Sequence, residues 1–190
     1  MKSGARPGWR VHAARTFGVA VLATLTIFCG LAHAQGADDP GLARLSFVVD
    51  GDSIWVTPQG DGQRLRLRLQ GIDAPEICQS GGLAARAALQ RLLRGEALHV
   101  AVHAHDRFGR AIASVRRQRD GLDVAARMVH DGWAWSEAPG GRPGVYSREQ
   151  ATAQAARYGV FAEPLPRHPA DFRRLHGPCD WQASVRSGRR

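Results

Sequence analysis

From Arg64 to Leu69 the chain reads RLRLRL, a strict alternation of arginine and leucine. A period of two belongs to a half-buried β-strand, with Leu65, Leu67 and Leu69 turned inward and Arg64, Arg66 and Arg68 sharing the opposite face. The fold must therefore supply a sheet with one covered side. The strand runs directly into QGIDAPE, residues 70–76, where Pro75 bends the backbone and Asp73 and Glu76 stand three apart. Two carboxylates at a forced turn, next to an arginine-bearing strand, need a reason.

The rest of the chain supplies the sheet. SFVVD leads into Asp50-Gly51, a tight-hairpin signal, and SIWVT continues beyond it. The turn PQGDGQ then precedes the alternating strand. LAARAALQRLLRG, from Leu83, is apolar at helical spacing and stops at Gly95, where a left-handed cap is expected. ALHVAVHAH and AIASVRR read as antiparallel strands joined by the turn DRFGR. A helix over Asp123 to His130 is stopped by Gly132, and a segment from Trp133 to Trp135 follows. A last helix opens at Ser147 with Gln150 three residues on, a capping-box pattern. Five short strands, with one helix after the third and two at the end, predict an α+β fold. Its expected form is a five-stranded OB-type β-barrel with about three α-helices.

The ends have other work. Residues 1–34 carry Lys2, Arg6, Arg10 and Arg15 without an acid, then the run FGVAVLATLTIFCGL from Phe17, then Ala32-His33-Ala34. This predicts a signal peptide cleaved after Ala34, because the apolar run falls short of the roughly 20 residues of a membrane-spanning helix. Residues 35–41 are expected as a linker and 42–164 as the domain, since a 190-residue chain with 44% hydrophobic content suits one core. Residues 165–190, rich in proline, arginine and histidine, are expected as an irregular basic tail. The predicted location is the periplasm or the exterior, and a monomer is expected.

Removing four cations and no acid from a formal charge of +9 leaves +5, and every remaining cation is arginine, whose planar fork suits phosphate. Cleavage also removes Cys29, leaving Cys78 and Cys179 as an even pair in an exported chain. One disulfide is expected, returning the tail to the turn that holds Asp73 and Glu76.

Taken singly, the acidic turns have local explanations: Asp50-Gly51-Asp52 as hairpin chemistry, Asp73 and Glu76 as a solvated loop, Asp106 as the start of DRFGR. Together, Asp52 and Asp73 can converge on one edge of a small barrel. Two carboxylates with a backbone carbonyl and waters make an oxygen-rich site that favours Ca²⁺ or Mg²⁺ over zinc. Arg68 and Arg110 are placed to balance the charge that a phosphodiester gains in its transition state. Glu76, free of the metal, could orient or deprotonate the attacking water. His103 and His105 lack a third metal ligand, and Trp133 and Trp135 fit packing better than base stacking.

The order VVDGDS, RLRLQGIDAPE, DRFGR resembles the staphylococcal nuclease, or thermonuclease-like, family over roughly Leu42 to Pro164, and GWAW and the last helix are similar to its C-terminal part. The resemblance implies an OB-fold nuclease that cleaves DNA and RNA with Ca²⁺, by attack of water on phosphorus, leaving 3′-phosphate ends. It implies metal binding by Asp52, Asp73 and the Ala74 carbonyl, phosphate contact by Arg68 and Arg110, and catalysis by Glu76. Ser53 and Ala74 stand where threonine is found in the founding member. Phe108 stands where tyrosine is usual, which removes a hydroxyl that can help bind a terminal phosphate. Tyr146, in a stretch that does not align with the family's nucleotide-binding segment, is a candidate either for nucleotide contact or for packing beside the last helix. A different class of protein, an inactive nucleic-acid- or protein-binding module on the same fold, is disfavoured. Asp52, Asp73 and Glu76 together would repel phosphate unless a cation balanced them.

Overall fold

The arginine–leucine run forms a strand whose leucines face the core: Leu67 and Leu69 are buried, while Arg66 and Arg68 are half-buried. The computed structural model describes residues 41–60, 62–137, 140, 142–177 and 179. The expected signal peptide with Cys29, the linker up to residue 40, and the terminal RSGRR lie outside these residues.

In chain order the elements are β1 (Gly41–Val48), β2 (Ser53–Pro58), β3 (Leu65–Leu69), β4 (Ile72–Asp73) and α1 (Gly82–Leu93). They continue with β5 (Ala97–His105), β6 (Ala111–Arg117), α2 (Val124–His130), β7 (Trp135–Ser136), α3 (Ser147–Ala155), a 3-10 turn (Gly159–Ala162) and α4 (Pro169–His176). The five longer strands close a barrel in the order β1-β2-β3-β6-β5. Three antiparallel pairs follow the chain as hairpin logic requires, β1 with β2, β2 with β3, and β5 with β6. Closure needs two more seams: β5 returns to β1, with Val100 opposite Gly41, and β6 lies parallel to β3, with Ala111 opposite Leu67. The expected α+β fold with a five-stranded OB-type barrel is what forms. Gly41 already belongs to β1.

Inside the barrel, Ile54, Val56, Leu67, Leu69, Leu98 and Val115 are almost fully buried. Leu89 and Leu93 of α1 and Val124 and Met128 of α2 join the same core. Helix α1 ends as its composition predicts, with Gly95 at φ 75° just beyond the cap. Among the described residues, no helix is long and apolar enough to cross a membrane.

Two expectations need correction. Ser147 and Gln150 do not form a capping box: Tyr146 occupies the cap position of α3, and the Gln150 side-chain oxygen accepts the Ser136 N–H at 2.8 Å. That N–H lies on the two-residue strand β7, which has few ladder bonds of its own, so the amide serves tertiary packing instead. The tail, expected to be irregular, contains α4. Pro169 at the start suits a helix whose first N–H groups have no partner, and the His168 ring accepts the Ala170 N–H at 3.2 Å. Four α-helices form among the described residues, in keeping with the expected count of about three. The tail is also bonded to the body, through Gln79 Nε2 donating to the Arg167 carbonyl at 2.6 Å and the Trp135 and His168 rings at 5.5 Å.

Candidate active site

Both acidic turns reach one edge of the barrel because small residues let them touch. An added Cβ at Gly51 would stand 2.6 Å from the Ala74 Cβ and 2.8 Å from the Ala85 Cβ, so the β1–β2 turn rests directly on the Asp73-Ala74 turn and on α1. At Gly82 a Cβ would fall 1.9 Å from the Glu76 carbonyl oxygen, which seats the start of α1 against Glu76. Gly51→Ala is expected to destabilise the protein by about 1–3 kcal/mol through overpacking. A urea midpoint unchanged from the parent would show that the two turns are not in such close register.

Within the β1–β2 turn, Asp50 Oδ1 accepts the N–H groups of Asp52 and Ser53 at 3.0 and 2.7 Å. This aims the Asp52 carboxylate across the gap, where its Oδ2 accepts the Ala74 N–H at 2.9 Å. Ser53 Oγ donates to Asp52 Oδ1 at 2.9 Å. Burial works to raise the Asp52 pKa, but the charge of Arg68 and the bonds from Ala74, Arg68 and Ser53 outweigh it and hold the carboxyl below its usual range. Asp50 lacks such a cation. Its burial, and then the negative charge of Asp52, push it up to about 7.

Arg68 is the hub. Opposite Ser53 on β2, it places Nη1 2.6 Å from Asp52 Oδ2 and Nη2 3.3 Å from Asp73 Oδ1, 2.9 Å from Glu137 Oε1 and 3.0 Å from the Ile72 carbonyl. Burial opposes its charge, but Asp52 and Asp73 more than compensate and keep it protonated. Strand β4 supplies the second acid: pairing of Asp73 with Trp135 on β7 anchors the QGIDAPE turn, and Asp73 is buried.

Arg110 enters from the β5–β6 turn. Asp106 braces it, with Oδ2 accepting from Nε at 2.7 Å, and Nη1 reaches Ser53 Oγ at 3.3 Å. Phe108 is exposed at the tip of that turn, between the guanidinium groups of Arg107 at 4.9 Å and Arg110 at 5.6 Å from the ring centre. These groups border a cleft of about 570 Å³ whose lining includes Asp52, Arg68, Ala74, Glu76, Phe108 and Arg110. Asp73 is buried and bonded to two of its arginines, Arg68 and Arg173.

Tyr146, predicted as a nucleotide contact, is not brought to this cleft. It packs against the main core, with its hydroxyl 3.4 Å from the Asp123 carboxylate. Burial, and then Asp123, push its pKa up to about 12. Trp135 is buried against Phe161, and His103 bonds Ser114. Cys78 and Cys179 form a disulfide with Cα atoms 5.8 Å apart, joining the segment just after the QGIDAPE turn to the tail.

Among the cleft residues that escaped sequence reasoning are Arg173, Arg66 and Asp50. Arg173 of α4 forks onto Asp73, with Nη1 to Oδ1 at 3.0 Å and Nη2 to Oδ2 at 2.9 Å, and its Nη1 also reaches Glu76 Oε1 at 2.8 Å. Arg66 borders the cleft, and its buried Nε has no hydrogen-bond partner among the described residues. Asp50 was assigned to turn chemistry alone. The alternation of β3 placed Arg66 on the correct face, and the basic tail with Cys179 hinted at a cation near this turn. Nothing local singled out Arg173.

The donor chemistry fits a hard cation. Asp52, Asp73 and the Ala74 carbonyl offer oxygen only, and both cysteines near the cleft are held in the disulfide. Among the described residues, no group of three or more His, Cys, Asp and Glu side chains is gathered to hold a metal. Two carboxylates and a carbonyl would leave the remaining positions to water.

Residues 66–163 match the family model described as Staphylococcal nuclease homologue, a span that includes Arg68, Asp73, Glu76 and Arg110 but neither Asp52 nor Arg173. A probable staphylococcal-like nuclease, CAN1, of Oryza sativa subsp. japonica is 33% identical over 112 residues, 59% of this chain and 33% of its own length. The chain thus spans about a third of that rice relative. An uncharacterized endonuclease of Haemophilus influenzae is 30% identical over 131 residues, 69% of this chain and 72% of that protein. A micrococcal nuclease of Shigella flexneri is 32% identical over 137 residues, 67% of this chain and 77% of its own. With the barrel, the two acidic turns and the arginines of β3 and the β5–β6 turn in place, these matches show that the chain belongs to the staphylococcal nuclease family.

Proposed function

We propose that the protein is a secreted or periplasmic, calcium-dependent nuclease that hydrolyses phosphodiester bonds in DNA and RNA and leaves 3′-phosphate ends. The observation that carries this reading is the gathering of Asp52, Glu76, Arg68 and Arg110 at one cleft, from strands and turns far apart in the chain, with Asp73 bonded to Arg68.

Asp52, Asp73 and the Ala74 carbonyl are the residues that would hold Ca²⁺. When bound, the ion would supply positive charge to the phosphate oxygens and to waters beside them. Glu76, partly exposed at the cleft wall, is the group to hold a water in line with phosphorus and take its proton. Attack forms the new P–O bond, the bond to the 5′ oxygen breaks, that oxygen leaves as a hydroxyl after taking a proton from solvent, and the phosphate stays on the 3′ side. Arg110, braced by Asp106, is aimed at the equatorial oxygens, and Arg68 approaches them from β3 once substrate competes for its carboxylate partners. Arg66 and Arg107 add charge along the cleft, and the exposed Phe108 offers a face for stacking a base.

Export is supported by the Cys78–Cys179 disulfide, a bond that persists in oxidising compartments, together with the cationic and apolar pattern of residues 1–34. The test is cleavage of single- and double-stranded DNA and RNA by the purified protein, with CaCl₂ and with chelator. Calcium-stimulated cleavage abolished by chelator, with phosphate on the 3′ ends, is the expected result. Binding of nucleic acid without cleavage would instead identify a module that keeps the fold and has lost catalysis.

A further inference from the structure

Arg173 lies outside the matched span and in a tail expected to be irregular, yet it touches both acids of the QGIDAPE turn. Its planar fork meets the two oxygens of Asp73 in parallel, the strongest geometry available to a guanidinium–carboxylate pair. Asp73 is buried, so a positive charge beside it is worth far more than one at the surface.

The placement is built rather than incidental. Helix α4 runs from Pro169 to His176 and points Arg173 inward, while Phe172 of the same helix lines a neighbouring pocket with Trp135 and Val160. Three residues past the helix, the Cys78–Cys179 bond ties the tail to the turn that holds Asp73 and Glu76. Such a tether converts the meeting of Arg173 with Asp73 into an intramolecular event at high effective concentration.

We infer that Arg173 is the resident counter-ion of the catalytic carboxylates and competes with the divalent cation for Asp73, so that the disulfide-strapped helix α4 sets how much calcium the site requires. The inference rests on the calcium-dependent reading above. A guanidinium forked onto both oxygens of Asp73, with Arg68 also on Oδ1, occupies most of the lone pairs that a metal would use. The same group on Glu76 holds the oxygen that would otherwise face water. Loading of the site then requires Arg173 to give up Asp73, and the free energy of that pair is subtracted from the affinity for the cation. Arg173 is a positioning residue in this scheme, acting through Asp73 and Glu76 rather than on the reacting bond.

The test is calorimetric titration of CaCl₂ into the parent protein, Arg173→Ala and Arg173→Lys, each oxidised and after reduction of the disulfide. Circular dichroism confirms that each sample is folded. Arg173→Ala is expected to bind calcium about tenfold more tightly, the size of one charge-assisted pair, with Arg173→Lys between it and the parent. Reduction should tighten binding by the parent and leave Arg173→Ala unchanged, because the strap matters only through the guanidinium it delivers. Equal or weaker calcium affinity in Arg173→Ala, or no calcium binding by any of the proteins, overturns the inference. Cleavage assays on the same samples keep the two readings apart. A parent that cleaves with calcium but whose affinity ignores Arg173 retains the nuclease assignment and loses the counter-ion. Tighter calcium binding by Arg173→Ala without any cleavage does the reverse.

Discussion

Glu76→Gln is expected to lower kcat by about 10²–10⁴-fold, the usual contribution of a positioned general base, with little change in KM or in folding stability. The amide keeps the shape of the side chain, and its oxygen can still accept the 2.8 Å bond from Arg173. The Glu76 backbone is held independently of the side chain, by the Gln79 N–H on its carbonyl and by its own N–H on Gln79 Oε1. What disappears is the capacity to take a proton from water. The check is a steady-state comparison at saturating calcium and substrate, alongside thermal unfolding. Parent-like turnover would remove Glu76 from its role. A fall in turnover matched by a fall in melting temperature would instead point to a structural defect.

Arg68→Ala should act on catalysis and stability together. Removing one donor to a developing oxyanion costs about 10²–10³ in kcat. Arg68 is also the shared cation of Asp52, Asp73 and Glu137, and the first two are buried. Leaving buried carboxylates without their partner costs about 3–5 kcal/mol in unfolding free energy. On the proposed calcium-dependent reading, the ion would neutralise the same two carboxylates in the folded chain alone, and calcium should then restore part of this loss. Urea unfolding with and without CaCl₂ reads both effects. Arg110→Ala provides the contrast: Asp106 keeps the N–H groups of Phe108 and Arg110 as partners, so turnover should fall with little change in stability. An Arg68→Ala protein as stable as the parent would mean that the carboxylates find other compensation.

Much of the scaffold was legible because its signals are local. The leucines of β3 face inward as their alternation requires, Asp50-Gly51 turns the chain between β1 and β2, and Gly95 ends α1 at positive φ. The convergence of Asp52 and Asp73 was also readable, since each closes a strand connection at the same end of the barrel. The misreadings have a common cause. Gln150 sits at the spacing of a capping box, yet its amide meets the Ser136 N–H, a partner set by how β7 packs. Tyr146 was open to nucleotide contact or to packing beside the last helix, and it takes the packed place, against the core and Asp123. Helix α4 is short and polar, so its composition resembled that of a loop until Trp135, Gln79 and Cys78 held it against the body.

By itself, then, the sequence determined the barrel strands, the two acidic turns and the arginines that face them, because each is written in spacing between near neighbours. The tertiary structure alone decided which cation stands on Asp73 and Glu76. Arg173 is separated from them by 100 and 97 residues, and only the folding of α4 over the cleft brings it there. Charge pairing between distant residues depends on the angle at which one element lands on another, and no periodicity along the chain records that angle. The QGIDAPE turn was visible as a pair of acids awaiting a partner. Its partner in the folded protein comes from the far end of the chain, drawn in by the disulfide next door.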